Sequence, residues 1–222
     1  MHSESSSGPI FDYLYKHIST LQIAPGEKLS ENRLANQFST SRTPVREAIA
    51  RLVSIGLVEV KLKSGTFVTR LSTEKITEAQ FIREAIECAI VQKVAADSPR
   101  NTIAVCEAVL KQQQQAAVDN NFELFRQIDD QFHQALADYT QFRRAAHIVQ
   151  LEKAHLDRLR HVSLKEIGSQ YARVLDQHHR ILAAIKAGNS EVAAQIMREH
   201  TREILGVLNE IKTNHADYFV QP

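Results

Sequence analysis

The chain is short of the residues that interrupt or cross-link a backbone. Among 222 residues there are 7 glycines and 5 prolines, with long stretches free of both, so most of the chain reads as helix. Two cysteines, Cys88 and Cys106, lie 18 apart in helical patterns. That spacing makes neither a disulfide framework nor a zinc knuckle, and a reducing cytosol is the simplest compartment. No apolar run approaches the roughly 20 residues of a membrane span. The opening MHSESSSGPI lacks the basic and then apolar segments of a signal peptide, and residues 1–9 read as a disordered tail. A strong excess of either charge is missing as well: the formal net charge is +1, with 43% hydrophobic and 24% charged residues, as in ordinary globular proteins. The charge is unevenly spread. Residues 1–72 hold 9 Lys/Arg against 6 Asp/Glu, and residues 73–222 hold 18 against 20, a weak pointer to an anionic partner at the front.

What is present divides the chain in two. Ile10, Leu14, Ile18 and Leu21 share one helical face, and Pro25-Gly26 ends that unit in a turn. A short second helix is expected over residues 32–38. Then comes STSRTPVREAIARL, residues 39–52, where Ser41 or Thr43 can cap a helix, Pro44 is tolerated in its first turn, and Val45, Ile49 and Leu52 form the buried face. After Gly56 the period changes. Val58, Val60 and Leu62 alternate with charged residues, Gly65 follows in a turn, and residues 66–69 complete a β-hairpin. Three helices and a hairpin make a winged helix-turn-helix over residues 10–72, with its wing tip near Lys63. From the cap Ser72 onward the pattern is helical, broken at 98–99, 119–121, 138–142, 163–169 and 188–189 into about six helices. The expected fold class is therefore mainly α: a winged helix-turn-helix followed by an all-α bundle over residues 73–215 and a tail over residues 216–222.

The third helix carries Ser41, Arg42, Thr43 and Arg46 at its start. The N-terminal end of such a helix enters a major groove; arginine hydrogen-bonds guanine edges, hydroxyls suit phosphates or bases, and the helix dipole favours a phosphate. The stretch PGEKLSENRLANQFSTSRTPVREAIARLVSIGLVEVKLKSGTFV resembles the winged helix-turn-helix of GntR-type bacterial transcription regulators, nearly without gaps over residues 10–70. The resemblance implies that Arg42 and Arg46 are the main DNA contacts, supported by Ser41 and Thr43, and that Gly65 lets a wing tipped by Lys63 approach the minor groove. Two positions depart from the pattern. Ser39 stands where glycine is usual, and Asn32 where some relatives have a DNA-contacting arginine.

In IDDQFHQAL, residues 128–136, Asp129 and His133 project to the same side of a helix and share the apolar stripe of Phe132 and Leu136. Asp130 falls on the wetter face. An inward carboxylate needs a cation or donor; the pair is half a metal site or, equally in keeping with the spacing, a satisfied Asp–His hydrogen bond in a core. His178 lies on the buried face with Ile181, Leu182 and Ile185, whereas His179 aligns with Ala183 and Lys186. His200 lies among Ile196, Met197, Ile204 and Val207. Asp129, His133, His178 and His200 together offer one oxygen and three nitrogens, a set suited to Zn²⁺ and also to Ni²⁺ or Mn²⁺. His147 and His155 are candidates to stand behind these ligands. Residues 76–212 are similar to the FCD effector domain of the FadR subgroup, through FIREAIECAI, IDDQFHQAL and HHRILAAIKAGNSEVAAQIMREH. That resemblance implies metal ligation by Asp129, His133, His178 and His200. Gln141 departs from it, standing where asparagine is common.

A metal in an arginine-lined cavity suits a small carboxylate. Arg83 matches a position that often faces the family's cavity, although its spacing from Glu87 also fits a surface ion pair; Arg158 and Arg160 are further candidates. The expected function is a cytoplasmic transcription regulator, not an enzyme, that binds a palindromic operator as a homodimer and responds to a small carboxylate. The rival readings are a regulator for which the metal is the signal, and a metal-dependent hydrolase or lyase with a DNA-binding head.

Overall fold

The computed structural model describes residues 7–167 and 170–221. The sequence-expected tail at residues 1–6 lies outside that range. Among the described residues, nine α-helices and a three-stranded sheet follow in the order α1 (Ser7–Ser19), β1 (Lys28–Leu29), α2 (Glu31–Gln37), α3 (Arg42–Ser54), β2 (Val58–Lys61), β3 (Gly65–Val68), α4 (Thr73–Asp97), α5 (Arg100–Val118), α6 (Phe122–Thr140), α7 (Arg143–Glu166), α8 (Gln170–Lys186) and α9 (Ser190–Asn214). Among the described residues, no helix is long and apolar enough to cross a membrane.

The mainly α fold class and the winged head stand as expected. α1 begins at Ser7, three residues before its apolar stripe, so Ser7 to Pro9 are helical rather than tail. Ile10, Leu14 and Ile18 meet Val45, Ile49 and Leu52 of α3 in one core. Ser30 caps α2 by accepting from Arg33 N at 3.3 Å. Strand β1, two residues long, pairs with β3, which also pairs with β2, so the hairpin gains a third antiparallel strand. Of Val58, Val60 and Leu62, Val58 alone is buried. Val60 and Leu62 are exposed, because the wing extends past the core and has nothing to pack against.

The six helices α4–α9 end where the breaks were read. Ser72, Asn121 and Asn189 cap α4, α6 and α9 by accepting from the N–H three residues on. Gln141, at the end of α6, has φ 58°. That left-handed conformation favours asparagine, which accounts for the usual residue there. α7 joins the two parts: its Ala154 lies in the core of the head, while Leu156, Leu159 and Val162 pack in a second core with Ile76 of α4 and Val207 of α9.

Candidate functional site

α3 presents its first turn to solvent. Ser41 occupies the N-cap in extended conformation and makes no capping hydrogen bond, while Arg42, Thr43 and Arg46 are exposed. Sequence reasoning missed Glu31 on α2. Its Oε2 accepts from Arg46 Nε at 2.8 Å and from Arg42 Nη2 at 3.3 Å, so one carboxylate aligns both guanidinium groups. Both arginines stay more than half exposed, and exchanging Glu31 for a phosphate or a base costs little. In the turn before α3, Ser39 has φ 49°, the left-handed conformation a glycine adopts without strain. At the wing tip Lys63 is exposed with φ 60°, and Gly65 has φ 121°. Asn32 is exposed on α2.

The buried site is built from α4, α5, α6, α8 and α9. Asp129 and His133, one turn apart on α6, meet His178 of α8 and His200 of α9, and one ligand atom from each lies within 4.8 Å of the others. All four are buried. His133 Nε2 stands 3.1 Å from His200 Nε2, and His178 Nε2 stands 3.5 Å from Asp129 Oδ1.

The far side of each ring is held. His178 Nδ1 meets Gln113 Oε1 of α5 at 2.9 Å, His200 Nδ1 meets Gln177 Oε1 at 2.9 Å, and His133 Nδ1 touches Glu87 Oε2 of α4. These oxygens accept hydrogen bonds, so each Nδ1 carries the proton and each Nε2 turns a lone pair inward. Lone pairs facing each other repel. Asp129 Oδ1 and His178 Nε2 are buried with no hydrogen-bond partner among the described residues. These orphaned atoms fit a divalent cation at the centre and do not fit the alternative of a satisfied Asp–His hydrogen bond.

Burial pushes the His178 ring down to about 3. Burial, then the neighbouring His178 and His133 rings, holds His200 well below its ordinary value. Both are therefore neutral, ligand-ready imidazoles at neutral pH. Burial works against ionisation of Asp129, but the Arg160 guanidinium beside it outweighs burial and holds the carboxyl well below the usual range. Glu87 is governed likewise, with Arg83 and His133 overcoming its burial.

Arg83 donates from Nε to Glu87 Oε1 at 2.7 Å, and this pair is buried rather than on the surface. Arg83 lines a cavity of about 50 Å³ together with Asp129, His200 and Arg160, which is space for about four water-sized groups. Arg160 contacts Asp129 Oδ2, leaving Oδ1 turned toward His178. Arg158, two residues earlier on α7, faces away from this cavity and donates to Thr69 of the head. His147 and His155 do not stand behind the quartet; they lie on faces of α7 turned toward the head, and His155 packs against Gly56. Of the partners behind the ligands, Gln113 and Gln177 carried no recognised signal, and Glu87 was read only as an ion-pair partner of Arg83. Each nevertheless sits at a buried helical position, which the apolar spacing around it could have revealed.

An exposed recognition helix with a wing, joined to a helical domain around a buried Asp–His quartet, defines a class of regulator. Residues 7–68 match the gntR family of bacterial regulatory proteins and residues 78–203 match the FCD domain. The chain belongs to the GntR family, in its FadR-like FCD subgroup, and is a transcriptional regulator. It is 31% identical over 210 residues to the HTH-type transcriptional repressor RspR of Escherichia coli, covering 95% of this chain and 92% of that one. It is 34% identical over 210 residues to an HTH-type transcriptional regulator in an unstable DNA locus of Streptomyces ambofaciens, covering 95% and 88%. Among solved structures, a GntR regulator from a Rhodococcus species aligns with TM-score 0.77 and 26% identity over 91% of this chain and 98% of that one. Escherichia coli McbR/YncC shares the fold, with TM-score 0.79 and 23% identity over 92% and 97%.

Proposed function

We propose that this regulator acts in the cytoplasm as a homodimer. It binds a palindromic operator through Ser41, Arg42, Thr43 and Arg46, with Lys63 and Gly65 of the wing in the adjacent minor groove. Asp129, His133, His178 and His200 hold a divalent metal ion, Zn²⁺ by preference of the donor set, with Ni²⁺ or Mn²⁺ as alternatives. The observation that carries this reading is the convergence of three inward Nε2 atoms and one carboxylate, each ring braced from behind. When bound, the ion supplies a positive centre with room for a ligand oxygen. The rest of the recognition belongs to the chain. Arg83 and Arg160 bring guanidinium groups to the cavity wall, so a small carboxylate finds charge-assisted donors there.

A contiguous set of contacts links this cavity to the head. Arg160 touches Asp129 and stands 3.9 Å from Asp157, and Asp157 accepts from Tyr15 of α1 at 2.7 Å. An effector that draws on Arg160 or Asp129 in one arrangement of α7 more than in another shifts the placement of the head, and only such a difference in affinity moves the equilibrium.

The test is operator affinity by fluorescence anisotropy, with metal-loaded and chelated protein, across small mono- and dicarboxylates. At least one acid should change affinity by roughly 5- to 150-fold, and only in the loaded protein. If chelation alone switches DNA binding and no acid does, the metal is the signal. Catalytic consumption of an acid would contradict a purely regulatory role.

A further inference from the structure

A larger cavity, of about 560 Å³, lies between the winged head and the helical domain. Among the described residues, the cations on its wall are Lys61, Arg70, Lys75 and Arg158, joined by the imidazole of His155, against a single carboxylate, Glu59. Lys61 already pairs with that carboxylate at 3.1 Å. Ser72, the N-cap of the 25-residue helix α4, also reaches the cavity, so the positive end of that helix dipole points there.

Arg158 is the informative residue. It is 2% exposed, and it spends two nitrogens on Thr69: Nη1 on the carbonyl and Nη2 on the hydroxyl at 3.4 Å. Its Nε has no hydrogen-bond partner among the described residues. Burial pushes its guanidinium down to about 10, with no carboxylate among the described residues to offset it. Arg160 makes the contrast on the same helix, set among Asp129, Asp130 and Asp157. A buried cation without a counter-charge is costly, and it persists where an anion completes it. Lys75 and Arg158 also lower the basicity of His155, after burial, which marks the local field as positive.

We propose that this cavity is an oxyanion site for phosphate or a phosphate-like group, held by Arg158 and the start of α4 within and by Lys75 at the rim. The wall itself comes from both domains, with Lys61 and Arg70 from the head facing Lys75 and Arg158 of the helical domain, so the bound anion lies where the head meets the helical domain. The site stands apart from the metal cavity, on the opposite face of α7.

The shared chemistry has two sources, a free anion or a phosphate of the operator backbone. Full-length protein, treated with chelator so that no metal can capture the anion, is titrated with inorganic phosphate against chloride at matched ionic strength and without DNA. Phosphate should raise Tm and bind saturably, and Lys75→Glu should weaken binding by about tenfold or more. Arg158→Met, which removes the buried cation, should fold at least as stably in phosphate-free buffer and lose the response. If it fails to fold, Lys75→Glu alone decides.

If free phosphate has no effect but Lys75→Glu weakens operator binding and reduces the salt slope by about one, the site takes a backbone phosphate and the proposal stands with DNA as the source. The proposal falls if neither assay distinguishes Lys75→Glu from the native chain. It falls equally if the phosphate response survives Lys75→Glu and vanishes in Arg42→Ala/Arg46→Ala, since the anion would then sit on the recognition helix.

Discussion

Arg42 and Arg46 stand more than half exposed on α3 with one shared carboxylate, whereas Asp129, His133, His178 and His200 are buried among five helices. The exposed pair is kept soluble by water and loosely aligned by Glu31, so a partner can displace that contact at small cost. The buried quartet is aligned by Glu87, Gln113 and Gln177, and it leaves orphaned atoms that the fold itself does not satisfy. On the proposed roles, function at the first site is separable from stability, and at the second the two are joined.

This difference can be broken in measurable ways. Loading the quartet should show the largest effect. At a metal concentration about 1,000 times Kd, the linkage is worth about 4 kcal/mol, which raises Tm by roughly 10 °C in calorimetry. Arg42→Ala should leave that rise untouched.

Arg46→Ala comes next. Operator affinity should fall by about 1–3 kcal/mol in a binding isotherm at physiological salt, with Tm and metal content unchanged. Unchanged affinity would refute the role of Arg46. Gln113→Leu sharpens the other side: with the brace on His178 gone, metal affinity should fall about 10- to 100-fold while operator binding by the loaded protein is kept. The smallest effect belongs to the turn before α3. Ser39→Gly should stabilise the chain by about 0.5–1 kcal/mol in chemical denaturation, because glycine adopts φ 49° without strain.

Much of this was readable without coordinates, because helical periodicity reports burial. It separated Asp129 from Asp130 and His178 from His179, and in each case the inward member is the more deeply buried one. Alternation in the wing says less: it shows which side chains share a strand face but not whether that face meets anything, and Val60 and Leu62 are exposed. β1 was invisible because two residues carry no period. Glu31 lies 11 and 15 residues from its arginines, beyond any local pattern. Arg158 and Arg160 looked alike in sequence. Two residues apart on α7, they point to different cavities, and only the packing of the domains distinguishes them.

Metal content of the purified protein, measured by inductively coupled plasma mass spectrometry, bears most directly on the quartet. The native chain and His179→Ala should each carry about one divalent ion per chain, and Asp129→Ala and His178→Ala almost none. Undiminished metal in Asp129→Ala and His178→Ala would contradict the assignment.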